Sequence, residues 1–146
     1  MSPDTGYRHF HDQLDALKQR LIDMSEHAER LVELSVQALL EHDADKAHAV
    51  ITGDRTVDAL EIEVEQAAIA LLALQQPLAR DLRYIIGAIK VSSDLERVGD
   101  HGVNIAESAL RLIEMKSNIT PDPEIQDMAR RSRDMLRDAL DAFVRA

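Results

Sequence analysis

The sequence predicts an all-α protein, an antiparallel up-down bundle of three long helices followed by a partial fourth. Three observations carry that prediction. Apolar residues recur at alternating spacings of three and four along most of the chain. Only 5 Gly and 4 Pro interrupt 146 residues, too few for a loop-rich, many-stranded fold. Residues of the AVILMFWYC set make up 45% of the chain but aromatics only 3%, so the core is aliphatic. A Trp-centred β-sandwich or an aromatic RNA-binding platform therefore does not fit. The length is one domain's worth, with room for a real core.

The first helix is expected from about Tyr7 to His42. Leu14, Leu17, Leu21, Met24, Ala28, Leu31, Ser35 and Ala38 form a heptad seam, and the charged residues lie mostly off it. At ~1.5 Å per residue it would be about 50 Å long. HDADK then reads as a turn, with Asp43 or Asp45 capping a second helix, Ala44 to Gln75. Its seam is Ala47, Val50, Asp54, Val57, Glu61, Val64, Ala68 and Leu71, so carboxylates interrupt the apolar line. The helix stops at QQP, and Pro77 suits the first turn of the third.

The third helix is expected over Leu78 to Met115. Its seam reads Leu82, Ile85, Ile89, Ser92, Glu96, Gly99, Val103, Ala106, Leu110 and Ile113, and breaks in the middle at Ser92, Glu96 and Gly99. KSNITPDPE is a linker. The last helix, Glu124 to Ala146, matches the first in apolar class at an offset of 104 residues: Met24 falls on Met128, Leu31 on Met135 and Leu39 on Phe143. Any two amphipathic helices can be slid into such a match, so by itself it is weak support for a repeat.

Charge narrows the function. Acids number 27 against 17 Lys and Arg, giving −10, and such a chain repels a polyphosphate backbone; nucleic acid is not an expected partner. The longest apolar run, Ala67 to Leu74, is far short of the ~20 residues that span a bilayer. The opening MSPDTGYRHFHDQ has no apolar h-region, and there is no cysteine, so a cytoplasmic location is the expectation. Any membrane association would be peripheral, through partners. Disulfides, thiolate metal sites and cysteine catalysis are excluded.

Asp54 and Asp58 lie one helical turn apart, as do Glu96 and Asp100. Glu61 with Glu65 extends the first stripe, and Asn104 the second. Burying unpaired carboxylates costs several kcal/mol, so something must offset the charge. Hard divalent or trivalent cations, bridged between two helices, would do so. Arginine partners are the rival, with Arg55, Arg80, Arg83 and Arg97 nearby. A solvated face is the plain alternative, since Glu29 with Glu33, Glu41 with Asp45 and Asp134 with Asp138 repeat the spacing. No His completes a Glu-x-x-His ligand pair. Asp45-x-x-His48 sits near a helix start, and His101, beside Asp100, either supplements a metal site or is simply exposed. Gly99 and Gly102 weaken the helix interior; they mark either close approach of a neighbouring helix or ligand beside Asp100, or simply a slack or kinked helix. No nucleophile constellation, P-loop or dinucleotide fingerprint is present, so no catalytic residue is assigned.

QQPLARDLRYIIGAIKVSSDLERVGDHGVNIAE, Gln75 to Glu107, resembles the signature region of the PhoU phosphate-signalling regulators. GDRTVDALEIEVEQ, Gly53 to Gln66, resembles their companion stretch on the preceding helix. The resemblance covers essentially the whole chain. It implies a cytoplasmic, all-α negative regulator of the phosphate-starvation response, an adaptor rather than an enzyme. It also implies partners: a phosphate ABC transporter, met through its ATPase subunit, and a sensor histidine kinase. The family's acidic motifs bind metal, and these carry over to Asp54 with Asp58 and Glu96 with Asp100, with Glu61 and Asn104 as weaker candidates. Iron, manganese, magnesium or zinc would suit them.

A full family member has two three-helix units. Here residues 1–116 would form one unit, 117–123 a linker, and 124–146 the first helix of an incomplete second, so the fold is truncated relative to the family. Self-association into a homodimer or larger homo-oligomer could replace the missing unit. Two other readings stand beside the adaptor: a metal-dependent carboxylate-bundle hydrolase or oxidase, and a helical oligomerisation module whose acids are merely solvated.

Overall fold

The computed structural model describes residues 3–146, and the side chains of 5–74 and 76–146. All regular structure among them is helical: α1 (Pro3–Glu41), α2 (Ala44–Gln75), α3 (Ala79–Glu114) and α4 (Glu124–Arg145). Helix α1 is already formed at Pro3, about a turn before the expected Tyr7. His42, in the left-handed region at φ 54°, ends it, and the Asp43 N–H donates to the Ala38 carbonyl at 3.0 Å. Of the two candidate caps, Asp43 is the one used: its Oδ1 accepts from the Lys46 N–H at 3.1 Å, worth about 1 kcal/mol.

Pro77 lies in the turn before α3 rather than in its first helical turn. Gln76 closes α2 at φ 45°, and Leu78 is the extended N-cap of α3, with no side-chain cap. Lys116, at φ 52°, closes α3, and the Glu124 N–H donates to Asp122 Oδ1 at 2.9 Å where α4 begins.

Helices α1, α2 and α3 pack pairwise into a bundle, and α4 lies along α1. Every seam residue expected on α1 is buried, from Leu14 through Leu17, Leu21, Met24, Ala28 and Leu31 to Ser35 and Ala38. So are the apolar seam residues of α2: Ala47, Val50, Val57, Val64, Ala68 and Leu71. The buried line of α3 differs from expectation. It runs Ile85, Ala88, Ser92, Leu95, Gly99, Gly102, Ala106, Ala109. Ile85, Ser92, Gly99 and Ala106 are common to both, but Leu82 is exposed, and Ile89, Glu96, Val103, Leu110 and Ile113 are only half-buried.

The shift has a physical cause. Apart from Ile85 and Leu95, the true inner line of α3 is made of small residues, which let α1 and α2 approach. A Cβ on Gly102 would lie 3.3 Å from the Leu31 backbone carbon, and one on Gly53 would lie 2.9 Å from Leu31 Cδ2. Leu31 is thus seated against glycines of both neighbouring helices.

Helix α4 docks with Leu140 buried and with Leu136, Phe143 and Val144 packed on the core. Its polar ties to α1 are Arg133 to Glu33 and Arg137 to Glu29, both at 3.0 Å. The Phe143 ring stacks on Tyr84 of α3, with centroids 4.7 Å apart.

Because backbone rather than a movable side chain faces Gly102, Gly102→Ala should lower stability by roughly 1 kcal/mol, overpacking outweighing the ~1 kcal/mol gain in helix propensity. Gly6→Ala, where nothing lies within 4 Å, should leave stability unchanged or raise it slightly. Urea unfolding of the two variants side by side checks the contrast.

Candidate functional site

Asp54, Asp58 and Glu61 project from α2 at successive helical turns, and Glu96 and Asp100 from α3. The Leu31–glycine contacts set the two helices at a height where these groups feel one another. Burial, then the charges of Asp58 and Asp100, raise the Asp54 carboxyl above the usual carboxylate range. Burial, then Asp58, Glu65 and Asp100, do the same to Glu61. Glu96 is shifted furthest. Burial, a side-chain hydrogen bond to Asp100, and the charges of Asp100, Glu61 and Asp58 push it up to about 7. Near neutral pH it therefore holds its proton much of the time and donates it to the Asp100 carboxylate.

The group sits on the rim of the bundle, not in a closed interior. Asp54, Glu61 and Glu96 are half-buried, whereas Asp58, Asp100 and Glu65 are exposed. Glu61, ranked below the four main candidates on spacing, is more enclosed than Asp58 or Asp100. Asn104 is exposed, one turn beyond Asp100. Gly99 fits the expectation of close approach: a Cβ there would meet Asp54 Oδ1 at 2.9 Å.

Arginine does not neutralise the group. Arg97 pairs with Asp94 at 3.9 Å, and among the described residues Arg55, Arg80 and Arg83 make no ion pair. His101 faces elsewhere, lining a cavity with Arg133 and Leu136 between α1, α3 and α4. Asp54 Oδ1 and Glu61 Oε2 are buried without a hydrogen-bond partner. Two orphaned oxygens in an all-carboxylate setting fit a hard cation in donor chemistry. The side chains as they stand do not close on one point: among the described residues, no three Asp, Glu or His side chains form a group that could hold a metal ion.

Raised carboxyl pKa values carry a definite sign. Each proton is bound more tightly in the folded state, so each group stabilises the fold at low pH and loses that contribution as pH rises; for Glu96 it is full below about 4.5 and lost as pH rises through about 7. Chelator-treated protein should lose thermal stability across that window. Glu96→Gln, which is neutral throughout, should flatten the loss, and melting curves of the two proteins from pH 4 to 8 measure the difference.

The PhoU domain family model matches residues 21–109, a stretch that holds the entire carboxylate group. The chain is 36% identical over 132 residues to the phosphate-specific transport system accessory protein PhoU homolog of Aquifex aeolicus, covering 90% of this chain and 59% of that protein. A homolog of the same name from Clostridium acetobutylicum is 37% identical over 136 residues, covering 92% and 62%. The chain thus spans about three fifths of the length of these relatives. In three dimensions it is similar to the crystal structure of PhoU from Pseudomonas aeruginosa, with TM-score 0.85, 32% identity, and 93% of this chain and 65% of that chain covered. The phosphate transport system regulatory protein PhoU from Streptococcus pneumoniae gives TM-score 0.83 at 31% identity, covering 91% and 62%. With four helices, a matching bundle and the signature carboxylates inside the matched stretch, the chain belongs to the PhoU family.

Proposed function

We propose that the chain acts as a regulatory adaptor of phosphate homeostasis, not as an enzyme. It would restrain the phosphate-starvation response by linking the ATPase subunit of a phosphate ABC transporter to a sensor histidine kinase. The observation that carries this reading is the family match over residues 21–109, together with the names of the relatives it joins. No helix among the described residues is long and apolar enough to cross a membrane, so contact with membrane machinery would run through protein faces.

In this reading Asp54, Asp58, Glu96 and Asp100, joined by Glu61, hold a divalent or trivalent cation such as iron, manganese, magnesium or zinc. The ion supplies the positive charge that the local arginines do not. Asp54 and Glu61 offer their orphaned oxygens, Asp58 and Asp100 turn inward from the exposed rim, and Glu96 gives up its proton, so binding tightens as pH rises. Asn104 would serve at most as an outer ligand. Helix α4 is read as the first helix of a second, incomplete unit, in line with relatives of greater length.

Two measurements test the proposal. Asp100→Asn should weaken cation binding, whereas Asp134→Asn, on exposed α4, should not; equal loss in both, or no bound metal in protein purified without chelator, removes the cation site. Co-purification with the transporter ATPase and the kinase's cytoplasmic region, under high and low phosphate, tests the adaptor role. Association that changes with phosphate supports it, and no association in either condition counts against it.

A further inference from the structure

At the end of the bundle where α1 begins, α3 begins and α4 finishes, a cleft of about 550 Å³ opens. It shares no residue with the carboxylate group. Its lining is unlike the rest of the molecule. Lys18, Arg80 and Arg83 face it together with the aromatic rings of Tyr7, Tyr84 and Phe143. Only two side-chain carboxylates, Asp15 and Asp81, share the wall, where the whole chain has 27 acids against 17 Lys and Arg. Ala146, at the end of the chain, lines it as well, so the local charge is close to balanced where the chain as a whole is strongly acidic.

These cations are not spent on one another's neighbours. Among the described residues, neither Arg80 nor Arg83 makes an ion pair or hydrogen bond, and Lys18 Nζ sits 4.9 Å over the Tyr84 ring rather than on a carboxylate. Tyr84 is already engaged, stacked with Phe143 and in contact with the Lys18 ammonium. Tyr7 differs. It is 66% exposed and held edge-on by His11, with centroids 4.3 Å apart, so its ring is presented to the cleft mouth.

We propose that this cleft binds a nucleoside polyphosphate, its base stacked on Tyr7 and its phosphates held among Lys18, Arg80 and Arg83. Orthophosphate alone would leave most of a 550 Å³ cleft and its aromatic wall unused. A nucleic-acid polymer would lay further phosphates along a surface whose net charge is −10. A compact anion with an aromatic ring uses both features: charge-assisted contacts to guanidinium groups and stacking on an open ring.

The test is isothermal titration of the chain with ATP, adenosine, tripolyphosphate and a hexaglutamate peptide, all in excess chelator so that no cation bridges to the acidic seam. ATP should bind with sub-millimolar affinity, and adenosine and tripolyphosphate each roughly tenfold more weakly. Arg80→Gln and Arg83→Gln should each weaken ATP about tenfold; both side chains are exposed, and circular dichroism confirms that the variants fold. Tyr7→Ala should weaken ATP and leave tripolyphosphate unchanged. No heat with millimolar ATP overturns the proposal, as does affinity indifferent to either arginine. Tripolyphosphate or hexaglutamate binding as tightly as ATP also overturns it, since the site would then read charge alone or an acidic peptide.

Discussion

The approach of three helices around Leu31 is the constraint from which the rest of the structure follows. Gly53 of α2 and Gly99 and Gly102 of α3 surround that side chain and its backbone, and at Gly53 and Gly102 no Cβ fits without a shift. Glycine inside a helix costs up to about 1 kcal/mol each, so three of them in two long helices weaken α2 and α3 taken alone. Tight packing offsets that loss and fixes the two helices in register and height. Asp54 then lies against Gly99, one residue from Asp100, and the acids of α2 and α3 have no freedom to slide apart.

That placement creates a tension the fold does not relieve by itself. A like-charged group in bulk water is nearly harmless, and one in a sealed core would be protonated outright or absent. Here the inner members are half-buried, deep enough to lose solvation and shallow enough to stay accessible. The raised pKa of Glu96 is the response: a proton held there removes a unit of repulsion from its neighbours. Any cation arriving from solvent would act on the same term and compete with that proton. The rim position thus makes the group responsive, which an arginine-neutralised seam would not be.

Much of this was legible from residue order, and the exceptions are informative. The α1 seam emerged complete because its residues are large and apolar, and the α2 seam because carboxylates stand out on an aliphatic line. The α3 register was half misread because three-four stepping through Ile85, Ser92, Gly99 and Ala106 can be completed on either side of that line, and packing buries the side that holds Ala88, Leu95, Gly102 and Ala109. Spacing revealed the acidic pairs on each helix, but not that Glu61 belongs with Glu96 and Asp100, since the relative height of two helices is set by packing. The cleft left no sequence signal at all. Lys18, Arg80 and Phe143 come from three helices, and each looks like an ordinary member of its own amphipathic pattern.

Helix α4 joins these two ends of the molecule in one energetic argument. It is held by one buried side chain, Leu140, by half-buried Leu136 and Val144 on the core, by the Phe143–Tyr84 stack, and by two ion pairs to Glu29 and Glu33. Exposed Met128 and Met135 contribute nothing to that docking. Such an element sits at the low end of the local stability range, well below the glycine-locked bundle. The aromatic wall of the cleft is built partly from Phe143, so the cleft exists only while α4 is docked. Anything that binds across α1, α3 and α4 must therefore favour the docked state by mass action, and anything that draws α4 away must dismantle the cleft.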